Sequence, residues 1–255
     1  MYAAVREVAT HPADHEGAIR AAYEAVLRPG SIAVDGGAHS GKHTIPMGEA
    51  VGPDGTVFAF EPSPEPRSRL EKAIAAAGLT NVVVSSCGLS KPPARELTFL
   101  VFPDRPGVSG FERRTDAAGD LDAEEIRVQT TTLDVELADV ADLAFIKLDV
   151  EGAELDALFG AAALLEAHRP LVHIEASHVS WTPFGYGPTE LYAFLADLGY
   201  DVIDVVGTPL PDAATLDISF KTAGVWDYLL LPQTARGLFA REAVVTHASA
   251  TYGFD

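Results

Sequence analysis

The chain has 255 residues, 47% of them hydrophobic, and a formal net charge of −19. That length fits one α/β domain with a sizeable core, and so acidic a surface repels nucleic-acid phosphate and anionic lipid, which excludes both as expected partners. A single cysteine, Cys87, rules out an intramolecular disulfide, and neither a signal-peptide run at the start nor a stretch of transmembrane length is present, so a cytoplasmic protein with no membrane partner is expected.

The predicted elements follow one another as in a parallel sheet with helical crossovers. Residues 1–28 carry a helical pattern (Ile19, Tyr23, Val26, Leu27) stopped at Pro29-Gly30. A short apolar strand at 31–34 enters the turn Asp35-Gly-Gly-Ala-His-Ser-Gly41, and a helix runs to about Ala50. After the turn Gly52-Pro-Asp-Gly55 come a strand at 56–60, a helix at 64–77 stopped by Gly78, and a third strand at 82–86. Strand, helix, strand, helix, strand predicts right-handed crossovers. Residues 95–102 and 126–133 read as extended, and the glycine-rich stretch at 103–125 between them as a long loop of the kind that serves as a lid, binds a ligand or is disordered.

Residues 144–148 form a buried strand ending at Asp149, and a helix with Leu155, Leu158, Phe159, Ala162 and Leu165 inward follows Gly152. A strand at 171–175, a loop at 176–187, a helix at 188–198 and strands at 200–206 and 224–231 complete the pattern, with one or two helical turns in the tail. The expectation is a single domain, 1–255, with an N-terminal helical segment (1–30), a core (31–231) and a C-terminal tail (232–255).

Asp149 falls just beyond the carboxyl end of its strand, where open α/β sheets bind ligands. Glu151 and Glu154 follow within a turn; a helix N-terminus also favours acidic residues. The turn at 36–41 suits a ligand that approaches the backbone closely. Gly36-x-x-x-x-Gly41-Lys42 matches most of a phosphate-binding loop, but His43 stands where a magnesium-holding Ser or Thr belongs. A dinucleotide would find its ribose acid in Glu61, yet Asp35 at the end of the first strand repels a pyrophosphate. An acid there suits a cationic ligand such as S-adenosylmethionine, with Glu61 accepting from the ribose hydroxyls.

The blocks Val34-Asp-Gly-Gly-Ala-His-Ser-Gly41, Phe58-Ala-Phe-Glu-Pro-Ser-Pro64, Thr132-Leu-Asp134, Ile146-Lys-Leu-Asp-Val-Glu-Gly-Ala-Glu154 and Arg169-Pro170 through Ile174-Glu175 resemble the FkbM family of S-adenosylmethionine-dependent methyltransferases, in order, from about residue 31 to 206. The resemblance implies a Rossmann-like, seven-stranded class I methyltransferase fold, a mostly parallel sheet with helices on both faces. It also implies O-methylation of a hydroxyl on a small molecule, often a natural product or sugar. By position Asp35, Gly37 and Gly41 match the motif that holds the methionine part, Glu61 the ribose-binding acid, and Ser86, Cys87 and Gly88 the adenine contact; Ala38, His39, Pro62 and Asp149 are further expected cofactor contacts, with His39 facing either ligand or solvent.

A bare alcohol needs a base or a metal to take its proton. Asp149, Glu175 and His178 are the expected catalytic residues, as a base relay or as ligands to a divalent ion, for which hard oxygen donors favour magnesium. His173 shares the strand face of Glu175 and reads as a core histidine. Trp181, Phe184, Tyr186 and Phe111 either line an acceptor pocket or plug the core edge. Lys147, inside a buried strand, needs an acid such as Asp35 or Asp134. A nucleotide-binding module, or methyl transfer to nitrogen or carbon, are the competing functions.

Overall fold

The computed structural model describes residues 14–116, 120–222 and 224–252; the first part of the expected N-terminal helical segment lies outside them. Helix α1 (His15–Glu24) leads to strand β1 (Ile32–Gly36), α2 (Thr44–Val51), β2 (Thr56–Phe60), α3 (Pro64–Ala77) and β3 (Val82–Ser85). Three further strands, β4 (Gly88–Leu89), β5 (Glu96–Val101) and β6 (Glu124–Thr131), make a small side sheet in the order β4-β6-β5. Then come α4 (Leu133–Glu136), β7 (Leu143–Leu148), α5 (Glu154–Phe159), α6 (Ala162–His168), β8 (Leu171–Glu175), α7 (His178–Trp181), α8 (Pro188–Leu195), β9 (Tyr200–Asp204), α9 (Ala213–Thr222), β10 (Asp227–Pro232) and α10 (Ala235–Tyr252).

The main sheet has seven strands in the order β3-β2-β1-β7-β8-β10-β9, and only β10 runs antiparallel to its neighbours. The order reverses between β1 and β7, and that switch point opens the crevice where such sheets bind ligands. Strands covered on both faces read as continuous apolar runs. Val34, Ile146, Leu148, Val172 and Ile174 turn to one face, against Leu155, Leu158, Leu165 and Leu191 of α5, α6 and α8. Their alternates Ala33, Phe145, Leu171 and Leu229 turn to the other, against Ile19, Tyr23, Met47, Val51 and Val244 of α1, α2 and α10.

Five expectations from the sequence need correction. The helix after Asp149 breaks at Gly160 into α5 and α6, and the position needs glycine because an added Cβ would lie 2.4 Å from the Ser90 carbonyl oxygen. Asp134 caps the second piece, accepting from the backbone N–H groups of Ala163 (3.1 Å) and Leu164 (3.0 Å). It is therefore no partner of Lys147. The loop at 176–187 contains α7 and a 3₁₀ turn at Thr182–Phe184, and α9 lies where the sequence reading placed no element. The tail is an 18-residue helix, not a turn or two; no helix among the described residues is long and apolar enough to cross a membrane.

Candidate active site

Strand register sets the site. Asp35 of β1, Lys147 of β7 and His173 of β8 are cross-strand neighbours, so their side chains share one face. Asp149 follows two residues beyond Lys147, and Glu175 two beyond His173. Below this polar row lies the apolar row of Ala33, Phe145 and Leu171. A charge belongs in such a place only if it is paired.

Lys147 is 3% exposed, and its Nζ lies 3.2 Å from Asp149 Oδ2, 3.4 Å from Asp35 Oδ1 and 3.4 Å from the Gly37 carbonyl oxygen. Burial works against its charge, but Asp149 and Asp35 outweigh it and hold the Lys147 pKa above the ordinary lysine value. The other oxygen of Asp35 accepts from the Thr44 hydroxyl at 2.6 Å, while Oδ1 has no hydrogen-bond partner. This explains why a Thr at 44 does not repair the phosphate-loop pattern: its hydroxyl serves an acid.

The turn itself is close-fitted. Gly37 has φ +72° and an added Cβ there would lie 1.8 Å from the Asp149 carbonyl oxygen, so only glycine lets the turn after β1 and the turn after β7 meet. Glu61, nearly buried, binds the turn from β2: Oε2 accepts from His39 N–H and Oε1 from Ser63 N–H, both at 2.8 Å. Burial pushes its pKa up, and the two backbone bonds oppose that. Each oxygen keeps a lone pair for a further donor.

Around these groups lies a cleft of about 250 Å³. Asp35, Gly37, Ala38, His39, Glu61, Pro62, Cys87, Gly88 and Asp149 line it, as do Lys147, Phe111 and Glu151. Two expected cofactor residues are placed elsewhere. Gly41, at φ +91°, is buried against Leu70 and shapes the turn from behind, and Ser86 is exposed outside the lining. Lys42 and His43 are engaged by Glu16 of α1, at 2.7 Å each. The His43 hydrogen bond, helped by Lys42 and opposed by burial, holds Glu16 down to about 2. The sequence reading missed Glu16, and no local pattern marks a contact so distant along the chain.

At the tips of β7 and β8, oxygens of Asp149, Glu151 and Glu175 come within 4.8 Å of one another. Burial disfavours the Asp149 carboxylate, yet the Lys147 charge and a hydrogen bond with Glu175 hold its pKa below the usual range. Glu175 is pushed well above that range by burial and then by the Asp149 charge. Thus Asp149 is the ionised partner and Glu175 carries the proton between them. Glu151, in the left-handed region at φ +54°, receives Arg114 Nη1 at 2.6 Å. Burial and the neighbouring Asp149 charge nonetheless push Glu151 up to about 8.

His178 does not join this group. Its Nε2 lies 3.0 Å from Asp217 Oδ1 and its ring stands edge-on to Phe220, because α7 starts one turn past the strand tip and swings the imidazole toward α9. Glu151 takes the third place instead. The resulting set does not fit a divalent ion: Lys147 and Arg114 already supply positive charge at 2.6–3.2 Å from Asp149 and Glu151, and Glu175 already bonds to Asp149. His173 is a core histidine whose Nε2 meets Asp227 at 2.9 Å; Asp227 also faces His15 Nδ1 at 3.0 Å. Despite burial, these two bonds hold Asp227 well below the carboxylate range.

Glu154 is structural. It is fully buried, accepting from Val150 N–H (2.9 Å), Gly152 N–H (3.2 Å) and Trp181 Nε1–H (2.8 Å). Trp181 is buried as well, so it plugs the core edge and is not part of the cleft lining. Glu154→Ala leaves three donors unmet, and an expected loss of about 3 kcal/mol lowers Tm by roughly 6–12 °C in a chain of this size, read by calorimetry. Burial raises Glu154 to about 7, the hydrogen bonds opposing. From its ordinary 4.5 up to about 7 the folded chain therefore holds a proton that the unfolded chain has lost. Stability falls as pH rises through that window, and Glu151 extends the decline to about 8. A Tm that rises over this range contradicts the assignment.

Comparison with known proteins gives the family and the fold. Residues 35–202 match the methyltransferase FkbM domain. Methyltransferase sdnD of Sordaria araneosa is 30% identical over 196 residues, 66% of this chain and 73% of that protein. Methyltransferase 1 of Beauveria bassiana is 30% identical over 146 residues, 51% of this chain; the match spans only 58% of the Beauveria protein. A proposed rRNA methylase from Clostridium thermocellum shares the fold, with a TM-score of 0.50 and 11% identity over 86% of this chain and 94% of that one. With the domain match covering more than half of its length, the chain belongs to the FkbM methyltransferase family.

Proposed function

We propose that the protein is an S-adenosylmethionine-dependent O-methyltransferase acting on a hydroxyl of a small molecule, and that its reaction needs no metal. The observation that carries this reading is the single cleft joining Asp35, Glu61 and Asp149, with buried Lys147 between the first and last. Asp35 presents a buried oxygen that accepts no hydrogen bond and faces only the Lys147 charge at 3.4 Å, where a cationic methionine end belongs, and Gly37 keeps the backbone bare beside it. Glu61 keeps two free lone pairs for a ribose diol. These features fit the donor.

When bound, the donor supplies an electrophilic methyl group: the acceptor oxygen–carbon bond forms as the carbon–sulfur bond breaks, and that electron pair passes to sulfur. Asp149 Oδ accepts the proton the hydroxyl gives up. Lys147 keeps Asp149 charged, and neutral Glu175 fixes its orientation by hydrogen bonding. The acceptor oxygen must lie roughly 3–3.5 Å from the methyl carbon on the sulfur axis, which the rigid strand tips favour.

Thermal shift tests the reading. S-adenosylhomocysteine at about 100 times its Kd is expected to raise Tm by roughly 5–10 °C, and ATP or NAD to leave it unchanged. No shift at saturating S-adenosylhomocysteine rejects the proposal. Acceptor panels of alcohols, amines and carbon nucleophiles, read by the mass gain of one methylene, test the choice of oxygen.

A further inference from the structure

Resting on the donor just proposed, we infer that Phe111 is the side chain against which the adenine lies, and that it gives the cleft its preference for a purine. The order of strands places the cleft's groups in line: Gly88 follows β3, Glu61 ends β2, Asp35 ends β1 and Asp149 follows β7. Three strand spacings separate the ends, roughly 14 Å. The acids occupy three of these four positions. At the β3 end the lining changes to Cys87, Gly88, Leu89, Phe99, Pro106 and Phe111. A flat apolar base belongs at that end, opposite the charged one.

Phe111 is held there from several directions. An added Cβ at Gly88 would lie 2.4 Å from the Phe111 Cζ, so the ring rests on the bare backbone of the segment after β3. Phe99 stands perpendicular to it, with ring centroids 5.1 Å apart and an interplanar angle of 89°. Gly110 pairs with Leu100 of β5 just before it, and Arg114 is anchored on Glu151 just after it. The ring also lines a second cavity, with Leu97, Thr98 and Phe184, and so forms the wall between that cavity and the cleft. A ring that is merely core filler has protein on every side. Phe111 borders open space on two sides, and the Gly88 backbone meets it at the Cζ end of the ring.

Calorimetric titration of the whole chain with S-adenosylhomocysteine and with adenosine tests this. Phe111→Ala is expected to bind both ligands roughly tenfold or more weakly, since stacking on one base is worth more than a factor of ten by truncation. Adenosine lacks the methionine part, so an equal loss for both ligands locates the defect at the base. Phe111→Trp should stay within about twofold of wild type, and Phe111→Leu, which keeps bulk without a ring, should follow Phe111→Ala. Should Phe111→Ala fail to fold, the Leu and Trp variants decide by the same contrast. Wild type that binds S-adenosylhomocysteine while folded Phe111→Ala or Phe111→Leu binds it equally well overturns the role of Phe111 alone. Wild type that binds neither ligand overturns the proposed donor and this inference together.

Discussion

Asp149→Asn is expected to lower kcat by roughly 10²–10⁴ while S-adenosylhomocysteine binds within about threefold of wild type. The substitution keeps the shape of the side chain and an oxygen for Lys147, now 3.2 Å from Asp149 Oδ2. What it removes is the negative charge and the basic site that takes the hydroxyl proton. The Asp149 side chain is 39% accessible, whereas Asp35 is 1% exposed, so of these two acids Asp149 is the one an acceptor can reach. Product affinity rests on Asp35, Glu61 and the turn, which the change leaves alone. Steady-state kinetics on any acceptor found in the panel, beside calorimetric binding of S-adenosylhomocysteine, separates the two effects. Unchanged turnover would make Asp149 a turn anchor and remove it from the chemistry. Glu175→Gln, which preserves a neutral hydrogen-bond donor to Asp149, should cost much less.

Much of this arrangement was legible in the sequence because it depends on local order. The Gly-rich turn, Glu61 and Asp149 each sit at a strand end, and a strand end is visible as the point where an apolar run stops. The topology followed from the alternation of strands and helices. Lys147 was visible as an anomaly, a charge inside an apolar run, though its partners were only half foreseen: Asp35 was named, Asp149 was not. What stayed hidden is long-range or weakly patterned. Arg114 reaches Glu151 across 37 residues, and Glu16 reaches His43 from a different helix. His178 was misplaced because three residues past a strand tip can point anywhere until the following helix is known. Helix α10 escaped because Leu238, Phe239 and Val245 face outward while Ala240, Val244 and Ala248 face in, so its apolar residues draw no single stripe.

Lys147→Met tests the link between fold and chemistry most severely. Methionine matches the lysine stem in volume, so packing in β7 is kept and only the cation goes. Asp35, 1% exposed, then loses the cation 3.4 Å from its Oδ1, and Asp149, whose side chain is 39% accessible, loses the one 3.2 Å from its Oδ2. Breaking a buried pair by removing one partner costs about 3–5 kcal/mol. In this chain that corresponds to a Tm loss of roughly 6–20 °C. The loss should depend on pH. In wild type the Lys147 charge holds Asp149 below its ordinary 3.8, so this contribution is present above 3.8 and is lost only as pH falls through the lowered value. Without Lys147, burial and the nearby acids push Asp149 up instead. The folded variant then retains a proton that the unfolded chain releases above 3.8, and its deficit relative to wild type widens as pH rises. The same proton blocks the base, so the acidic limb of the kcat profile should move to higher pH. A purely packing role for Lys147 predicts a Tm deficit that is flat with pH and an unmoved acidic limb. If both are observed, Lys147 holds strands together and does not set the charge of Asp149.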